Sequence, residues 1–329
     1  MYNKDINILI LSSYNNIELV NEFLKAKEIL NIKGKVITSD MNENVPASFV
    51  GDRHVYIKYL LDDGAKEDIV KVCNDENISL IIPIMDKQLK ILCKYRDFIE
   101  RNTNAKLMLS SENVVDISRD KFKTNEFLVK NGFDTPRLIE EEDIENENYY
   151  FPLYIKPFDG GGSIDNFILN NKKELEFFNE YIDNSIIQEF IKGQEYCVDI
   201  FADFEGNPIT IVPKKRLKAI AGTMLEGEID KNRTIIETMK KLVAKLKPCG
   251  EINVDCILVD NKVYILEINA RIAAGAIFSY RAGANTPINL YKLLSGEKLE
   301  YNESYDNGLN CIKYNAFFLN KGNKVIAGL

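Results

Sequence analysis

Short apolar runs alternate with helical patterns along the first part of the chain, and this alternation restricts the fold more than any other feature. The runs are continuous rather than two-residue periodic, and they lie at residues 6–11, 35–38, 80–83 and 106–109. Between them, apolar residues recur at helical spacing at residues 17–29, 68–74 and 87–101. Strands that are apolar on both faces and separated by helices are typical of a parallel, doubly wound sheet. The sequence therefore predicts an α/β domain over residues 1–115.

Beyond this domain the pattern of predicted helices and strands indicates a different structural class. We expect a linking helix at about residues 118–131, and further helices at 172–183, 234–246 and 286–294. Strands joined by hairpin-like turns are expected at residues 186–191, 196–201, 209–212, 254–259 and 262–268. The acidic run at 140–148 is expected to be a solvated connection. We therefore predict an α+β domain with mixed or antiparallel sheets over residues 116–329.

Composition and charge exclude several classes of function. A formal net charge of −8, without a basic cluster interleaved with aromatic residues, argues against a nucleic-acid surface. The apolar runs are only strand-sized and no signal peptide is seen, so we expect no membrane span and a cytoplasmic location. Six cysteines without CxxC pairing and a single histidine make zinc chemistry improbable and favour reduced thiols. The histidine, His54, is expected to be structural and to precede a strand.

The turn after the first strand excludes dinucleotide binding. A Rossmann fingerprint needs glycines at this turn, and residues 12–16 read Ser-Ser-Tyr-Asn-Asn. The strand ends at 12–13 and 83–86 remain candidates to line a substrate cleft.

A glycine-rich hairpin at residues 151–169 is the first candidate for chemistry. Lys156 ends its incoming strand, and four small residues follow: Gly160, Gly161, Gly162 and Ser163. Such a loop can bring backbone N–H groups against an anion, and the lysine adds a fixed positive charge. The alternative is a glycine hairpin with a chance lysine.

Oxygen donors gather on a second hairpin, at residues 251–271. Residues two apart on a strand share a face, so Glu267 and Asn269 point the same way. Asp255 can lie opposite Glu267 if the hairpin loop holds an odd number of residues, and we expect a three-residue loop centred on Asn261. The same register sets Asn253 opposite Asn269. Two carboxylates and an amide on one face suit Mg²⁺, while the alternative is a solvent-facing polar side.

These motifs, taken in order, resemble the ATP-grasp enzymes, specifically the synthetase halves of carbamoyl-phosphate synthase and the pyrrolysine-biosynthesis ligase. The resemblance covers nearly the whole chain, including residues 82–86 at a strand end of the pre-ATP-grasp domain. It implies a phosphate-binding lid loop at Lys156 and residues 160–163, and a basic residue for the phosphates at Lys121. It implies an adenine-reading hinge and a ribose-binding residue at Gln188, Glu189, Phe190, Ile191 and Glu195. It places the metal on Asp255, Glu267 and Asn269.

Three positions depart from the family pattern. Ala270 replaces a proline, Asp165 stands where a glycine often closes the phosphate loop, and Gln88 replaces a frequent acidic residue. The departure at Asp165 could loosen or narrow the loop, and the one at Gln88 puts a substrate role there in doubt.

The resemblance implies a parallel pre-ATP-grasp domain followed by a two-lobed ATP-grasp domain with a lid at about residues 149–187. The implied reaction uses ATP with Mg²⁺ or Mn²⁺ to join a small-molecule carboxylate to an amine through an acyl phosphate. Arg271 and Arg216 would hold the substrate carboxylate or the tetrahedral intermediate, although Arg216 could equally belong to a solvated basic run. A homodimer is compatible with this reading. The alternatives are a carbamoyl-phosphate-type enzyme acting on bicarbonate or carbamate, and an ATP-binding module without turnover.

Overall fold

The first unit of the structure is a parallel sheet covered by helices. The computed structural model describes residues 5–158, 164–220, 222–322 and 324–327. A short 3-10 helix, Pro46–Phe49, precedes the third strand. The strands and helices of this unit are Asn7–Leu11 (β1), Ile17–Ile29 (α1), Val36–Asp40 (β2), Arg53–Tyr56 (β3), Ala65–Asp75 (α2), Ile78–Pro83 (β4), Asp86–Asn102 (α3) and Lys106–Leu107 (β5).

All neighbouring strands of this sheet are parallel, in the order β3-β2-β1-β4-β5. The order reverses direction between β1 and β4, so a crevice opens beyond their carboxyl ends. The predicted doubly wound parallel sheet is confirmed. His54 lies within β3 rather than before a strand, where its Nδ1 is 2.9 Å from the hydroxyl of Thr38.

The rest of the chain forms antiparallel sheets with helices packed on them. Its elements are Glu112–Arg119 (α4), Lys121–Lys130 (α5), Glu141–Glu145 (α6), Leu153–Pro157 (β6), Phe167–Leu169 (β7), Lys172–Tyr181 (α7), Ser185–Glu189 (β8), Gln194–Ala202 (β9), Pro208–Ile220 (β10), Thr223–Ile229 (β11), Arg233–Leu246 (α8), Gly250–Val259 (β12), Lys262–Asn269 (β13), Ala276–Arg281 (α9), Thr286–Leu294 (α10), Asn310–Ile312 (β14), Leu319–Lys321 (β15) and Lys324–Ala327 (β16).

Three sheets are built from these strands. The largest has the order β13-β12-β9-β10-β11-β14, and a small one has the order β7-β6-β8. β15 and β16 form a separate pair. The predicted change to antiparallel sheets is therefore confirmed.

The linking helix expected at 118–131 is observed as α5, and only its start differs, because a separate helix, α4, occupies the chain up to Arg119. Asp120 lies between them in an extended conformation, and its carboxylate accepts hydrogen bonds from the backbone N–H groups of Phe122 and Lys123 at 2.9 and 3.2 Å. An aspartate that caps a new helix competes with continuation of the preceding one.

Two further segments differ from the sequence reading. The acidic run contains the short helix α6, whose start is stabilised by a capping box between Glu140 and Asp143. The strand expected at 209–212 continues to Ile220, so the basic run that follows Pro213 belongs to β10. Its first lysine, Lys214, is fully buried.

One hydrophobic core joins the parallel sheet to the large antiparallel sheet. It contains Leu9 and Ile81 from the first unit and Val198 and Ile268 from the second. At the same junction Gly250 has φ +77°, and a Cβ there would lie 2.4 Å from Cγ of Met108. A side chain at this position would therefore be strained and would require Met108 to move.

The small sheet has a core of its own. Its buried residues include Leu153, Ile155 and Ile187, and the cluster extends to Ile139, which precedes the predicted lid. Across the described residues, no helix combines the length and the apolar character needed to cross a bilayer.

Candidate active site

The hairpin of β12 and β13 brings the predicted oxygen donors together. Asp255 pairs with Glu267, and Asn253 pairs with Asn269, in the register expected from the sequence. Directly opposed residues of an antiparallel pair share a face. The side chains of Asp255, Glu267 and Asn269 accordingly line one cleft.

The reason for this register differs from the predicted one. Val259 pairs with Lys262, so the turn has two residues rather than three, and Asp260 rather than Asn261 carries the recorded positive φ, +53°. The odd residue is Leu266, which forms a bulge between the pairs Asp255–Glu267 and Cys256–Ile265. The predicted three-residue loop is wrong, because a bulge in the strand supplies the parity that was assigned to the turn.

A signal for the bulge exists in the sequence. The buried apolar positions of β13 and its continuation are Val263, Ile265, Ile268 and Ala270. The two-residue alternation therefore slips by one residue between Ile265 and Ile268, and such a slip marks an extra residue in a strand.

The cleft has a volume of about 430 Å³ and lies between the small sheet and the large sheet. All the predicted site residues in the described part of the chain line it: Lys121, Lys156, Gln188, Glu189, Phe190, Ile191, Glu195, Arg216, Asp255, Glu267, Asn269 and Arg271. The predicted phosphate-loop residues Gly160, Gly161, Gly162 and Ser163 lie outside the described residues. Asp165, just beyond them, has φ +56°, a left-handed conformation that aspartate tolerates better than most residues.

Opposite charges face each other across the cleft. Burial lowers the pKa of Lys156 to about 8, while Glu267 opposes this change and Lys121 adds to it. Burial raises the pKa of Glu267 above its usual value, against the charges of Lys121 and Lys156. Asp255 and Asp86 add to this rise. Lys156 is only 6% exposed, so it is a desolvated cation within electrostatic range of the carboxylates.

Arg216 joins two of the predicted site residues. Its Nη2 donates to Oδ1 of Asp255 at 3.0 Å, and its Nη1 donates to Oε2 of Glu195 at 3.1 Å. Burial alone would lower the pKa of Arg216, but Asp255 raises it above its usual value. Its Nε is buried without a hydrogen-bond partner in the described part of the chain. Arg216 is therefore not part of a solvated basic run, because its guanidinium forms ion pairs with Asp255 and Glu195.

Arg271 lies at the junction with the first unit. Its Nε donates to Oδ2 of Asp86 at 2.7 Å, and its Nη2 is 3.4 Å from Oδ1 of Asn269. Asp86 was not among the predicted site residues, although its segment was identified as a strand end. Gln88 is buried, donates to the hydroxyl of Ser12, and is not among the residues that line the cleft.

The predicted adenine hinge connects β8 to β9. Gln188 is 7% exposed, and the backbone N–H of Glu189 donates to the carbonyl of Arg137 at 2.9 Å. Phe190 lies near Tyr154, with 6.5 Å between ring centroids. Lys121 donates from Nζ to the carbonyl of Phe158 at 3.3 Å. Phe190 therefore gives the hinge an apolar surface beside the charged part of the cleft, whereas the backbone N–H of Glu189 is already paired within the protein.

A buried polar network supports the floor of the cleft, and sequence reasoning missed it. Asp199 pairs with Lys214, and it accepts hydrogen bonds from Asn253 at 2.8 Å and from Ser279 at 2.6 Å. Lys214 also donates to the carbonyl of Gly275 at 2.9 Å. The network thus ties β9, β10, β12 and the start of α9 together.

A second buried carboxyl, Glu251, lies close to this network. It accepts a hydrogen bond from the hydroxyl of Tyr280 at 2.7 Å, and its Oε1 has no hydrogen-bond partner among the described residues. Burial raises the pKa of Glu251 to about 8, and the charge of Asp199 adds to the rise.

The oxygen donors of the cleft fit Mg²⁺, which takes only part of its ligands from the protein, better than a metal ion whose ligands are all protein side chains. Among the described residues, no group of three or more His, Cys, Asp or Glu side chains is placed to hold a metal ion. Mg²⁺ is commonly bound by one or two carboxylates, with substrate phosphates and water completing its shell. Asp255 and Glu267, with the amide of Asn269, provide such a partial set.

Two family models match the chain. One, described as an ATP-grasp domain, matches residues 118–275, and the other, described as a PylC-like N-terminal domain, matches residues 8–105.

Curated relatives cover different parts of the chain. The carbamoyl-phosphate synthase of Methanobrevibacter smithii is 22% identical over 259 residues, which are 70% of each protein. A D-alanine–D-alanine ligase of Fusobacterium nucleatum is 30% identical over 167 residues, 47% of this chain and 56% of that one. The chain therefore spans only about half the length of this ligase.

Solved structures share the fold. A biotin carboxylase from Campylobacter jejuni, in a complex with β,γ-ATP, has a TM-score of 0.71 at 17% identity, covering 93% of this chain and 74% of that one. An L-amino acid ligase from Bacillus licheniformis has a TM-score of 0.66 at 21% identity, covering 89% and 75%.

Proposed function

Because the chain is an ATP-grasp protein with a PylC-like N-terminal domain, we propose that it is an ATP-dependent carboxylate–amine ligase. A carboxylate substrate attacks the γ-phosphate of ATP, which gives an acyl phosphate and ADP. An amine then displaces phosphate and forms the amide bond. The observation that carries this proposal is the placement of Asp255, Glu267 and Asn269 in one cleft with the buried Lys156.

The nucleotide occupies the hinge side of the cleft in this proposal. Backbone and apolar groups of residues 188–191 receive adenine, and Glu195 receives the ribose hydroxyls. Lys121 and Lys156 neutralise the phosphates, together with the glycine loop at 160–163. Phosphoryl transfer depends mainly on positioning and on neutralisation of charge, which these residue types supply.

Asp255, Glu267 and Asn269 would hold the metal. When bound, Mg²⁺ supplies positive charge at the phosphate oxygens. Arg271, beside Asn269, is suited to hold the substrate carboxylate or the oxyanion of the tetrahedral intermediate. Arg216 donates to Glu195, at the ribose position, and to Asp255, at the metal position, so we assign it to orienting these two carboxylates rather than to the substrate carboxylate.

The proposed organisation follows the same assignment. Residues 1–115 form the pre-ATP-grasp domain, residues 116–329 the ATP-grasp domain, and about 149–187 its lid. The lid opens to admit ATP and closes to exclude water. We further propose that the protein works in the cytoplasm, where its six free cysteines stay reduced, and that it can form a homodimer.

A carbamoyl-phosphate-type activity is the second candidate. It is favoured by the relative from M. smithii, of which the chain covers 70%. In that case bicarbonate alone supports ATP turnover. An ATP-binding module without turnover is a third reading, and in that case no carboxylate stimulates ADP release.

One experiment separates the three readings. ADP release is measured with Mg²⁺ and ATP over a matrix of carboxylates and amines, including bicarbonate and pooled amino acids. The ligase reading expects ADP release that depends on a carboxylate, and an amide product by mass spectrometry when an amine is added. ADP release with bicarbonate alone would favour the second candidate, and ATP binding without ADP release would contradict both enzymes.

A further inference from the structure

The first unit contributes one residue to the lining of the cleft. Among the lining residues of the described chain, Asp86 alone precedes position 116, and it is a carboxylate. It opens α3, directly after the carboxyl end of β4. In the sheet order β3-β2-β1-β4-β5, β1 and β4 flank the point where the strand order reverses, and open α/β sheets bind ligands in the crevice at that point.

Asp86 keeps unused acceptor capacity in this position. An ionised carboxylate offers about four lone-pair sites on its two oxygens. In the described part of the chain its recorded partner is Nε of Arg271, which uses Oδ2 at 2.7 Å and leaves Oδ1 available. The side chain is 27% exposed, so a ligand in the cleft can reach it.

Asp86 is also an acidic group of the cleft to which the proposed nucleotide and metal sites give no role. Asp255 and Glu267 are assigned to Mg²⁺, Glu195 to ribose, and Glu189, at the hinge, is paired with Arg137. Arg271 lies beside Asp86 and provides the opposite charge. A carboxylate and a guanidinium side by side are complementary to a ligand that carries an ammonium and a carboxylate group.

We infer that Asp86 receives the ammonium group of an amino-acid substrate, whose carboxylate is the one activated by ATP. This inference rests on the proposed ligase function. The ammonium group belongs to the activated substrate rather than to the attacking amine, because a nearby carboxylate favours the charged form of an amine and the nucleophile must be neutral. Asp86 is then the specificity-determining residue that the first unit brings to the reaction.

A merely structural Asp86 would act differently. If it only orients Arg271, its loss weakens the binding of every carboxylate to the same extent. If it receives an ammonium group, its loss affects amino acids and spares the same carboxylates without an amino group. Comparing each amino acid with its deamino counterpart therefore separates the two roles.

The experiment measures ADP release by the full chain with ATP and Mg²⁺ over the twenty amino acids and their deamino counterparts, such as alanine and propionate. The wild type should prefer the amino acid of a pair. Asp86→Asn should raise KM for that amino acid roughly ten- to hundredfold, because a charge-assisted hydrogen bond is lost, and should leave KM for ATP unchanged. The preference over the deamino acid should collapse, and Asp86→Glu should restore part of it.

The matched control is Asp97→Asn, on the same helix, whose side chain is 80% exposed. It should keep both KM and the preference. Equal losses for amino acid and deamino acid in Asp86→Asn would overturn the inference. Turnover by the wild type with deamino acids or bicarbonate only would also overturn it while leaving an ATP-dependent enzyme, whereas no ADP release with any carboxylate would overturn the proposed function itself.

Discussion

Arg216 on β10 reaches across β9 to Asp255 on β12, where its Nη2 donates to Oδ1 at 3.0 Å. The same guanidinium donates to Glu195. A positive charge therefore already lies beside the carboxylate assigned to Mg²⁺. Metal binding must displace this charge or share Asp255 with it.

Replacement of Arg216 should strengthen the binding of Mg²⁺ in the absence of nucleotide. In Arg216→Met, Asp255 no longer has a competing cation, so affinity for Mg²⁺ without nucleotide should rise by on the order of tenfold. Isothermal titration calorimetry measures this change. Lys215→Met, at the neighbouring position of the same strand, is the control and should leave the affinity unchanged. Weaker Mg²⁺ binding in Arg216→Met would contradict the competition.

Removing one charge from the metal residues should affect turnover more than nucleotide binding. Glu267→Gln keeps the shape of the side chain and removes its negative charge. Turnover should fall by roughly a hundredfold or more, since altering even an outer partner of a metal ligand costs about 10–100-fold. ATP affinity should change far less, because the metal matters most where charge develops in the transition state. Glu237→Gln, at an exposed position of α8, is the control, and normal turnover in Glu267→Gln would remove the centre of the ligase proposal.

Lys156 should contribute to nucleotide affinity. Lys156→Ala removes a buried cation from the phosphate side of the cleft, and loss of a charge-assisted contact weakens binding by roughly ten- to hundredfold. Equilibrium binding of ATP·Mg to the variant measures the loss. Lys172→Ala, which changes an exposed lysine of the same small unit, should bind normally. Unchanged affinity and rate in Lys156→Ala would contradict the phosphate assignment.

Substitutions at the ion pair of Lys214 and Asp199, beneath the cleft, should have strongly non-additive effects on the free energy of unfolding. Lys214→Met leaves Asp199 buried without its cation, and breaking a buried pair in this way lowers the free energy of unfolding by about 3–5 kcal/mol. The double variant Lys214→Met/Asp199→Asn removes both charges and should recover part of that loss. Urea denaturation of the single and double variants provides the measurement. A loss below about 1 kcal/mol in the single variant would show that water reaches Asp199.

Glu251 should make the protein less stable as pH rises. Its pKa is raised from 4.5 to about 8 in the folded protein by burial, beside Asp199, Tyr280 and Lys214. Between these two values the folded protein holds a proton that the unfolded chain has released, so the free energy of unfolding falls with increasing pH. This contribution is fully present below pH 4.5 and is lost as the pH rises through about 8.

Glu251→Gln should remove this part of the pH dependence, because the amide does not titrate. Urea denaturation of both proteins at about pH 5.5 and about pH 8.5 tests the prediction. The wild type should lose more stability than the variant between the two conditions. Parallel losses would place the pKa of Glu251 in its ordinary range.

Local periodicity was sufficient to predict the class of both halves of the chain. Continuous apolar runs predicted the parallel sheet, and the helix expected at 286–294 has the observed bounds. Strand parity also predicted that Asp255 faces Glu267. These features depend on residues a few positions apart, where the spacing of apolar and polar residues directly reflects burial.

Features that depend on distant pairing were missed. The hydrogen bond between Asp86 and Arg271 joins residues 185 positions apart, and no local pattern indicates it. For Arg216 the sequence left two readings open, a substrate role and a solvated basic run, because its partners, Glu195 and Asp255, lie on other strands. The same holds for Lys214, whose burial depends on Asp199 of the neighbouring strand. Charged residues in a run thus acquire their separate roles only when the sheet forms.

The bulge at Leu266 also changes how many side chains of β13 face the cleft. In a regular strand only alternate side chains would face the cleft, yet Leu266 and Glu267 both line it. A chain lacking Leu266 could still set Asp255 opposite Glu267 through the two-residue turn, since the remaining pairs would then be continuous. What it would lose is an apolar wall placed directly next to the carboxylates, near Ile257 and the hinge. The additional residue therefore places an apolar side chain, Leu266, directly beside a charged one, Glu267, on the same short stretch of backbone.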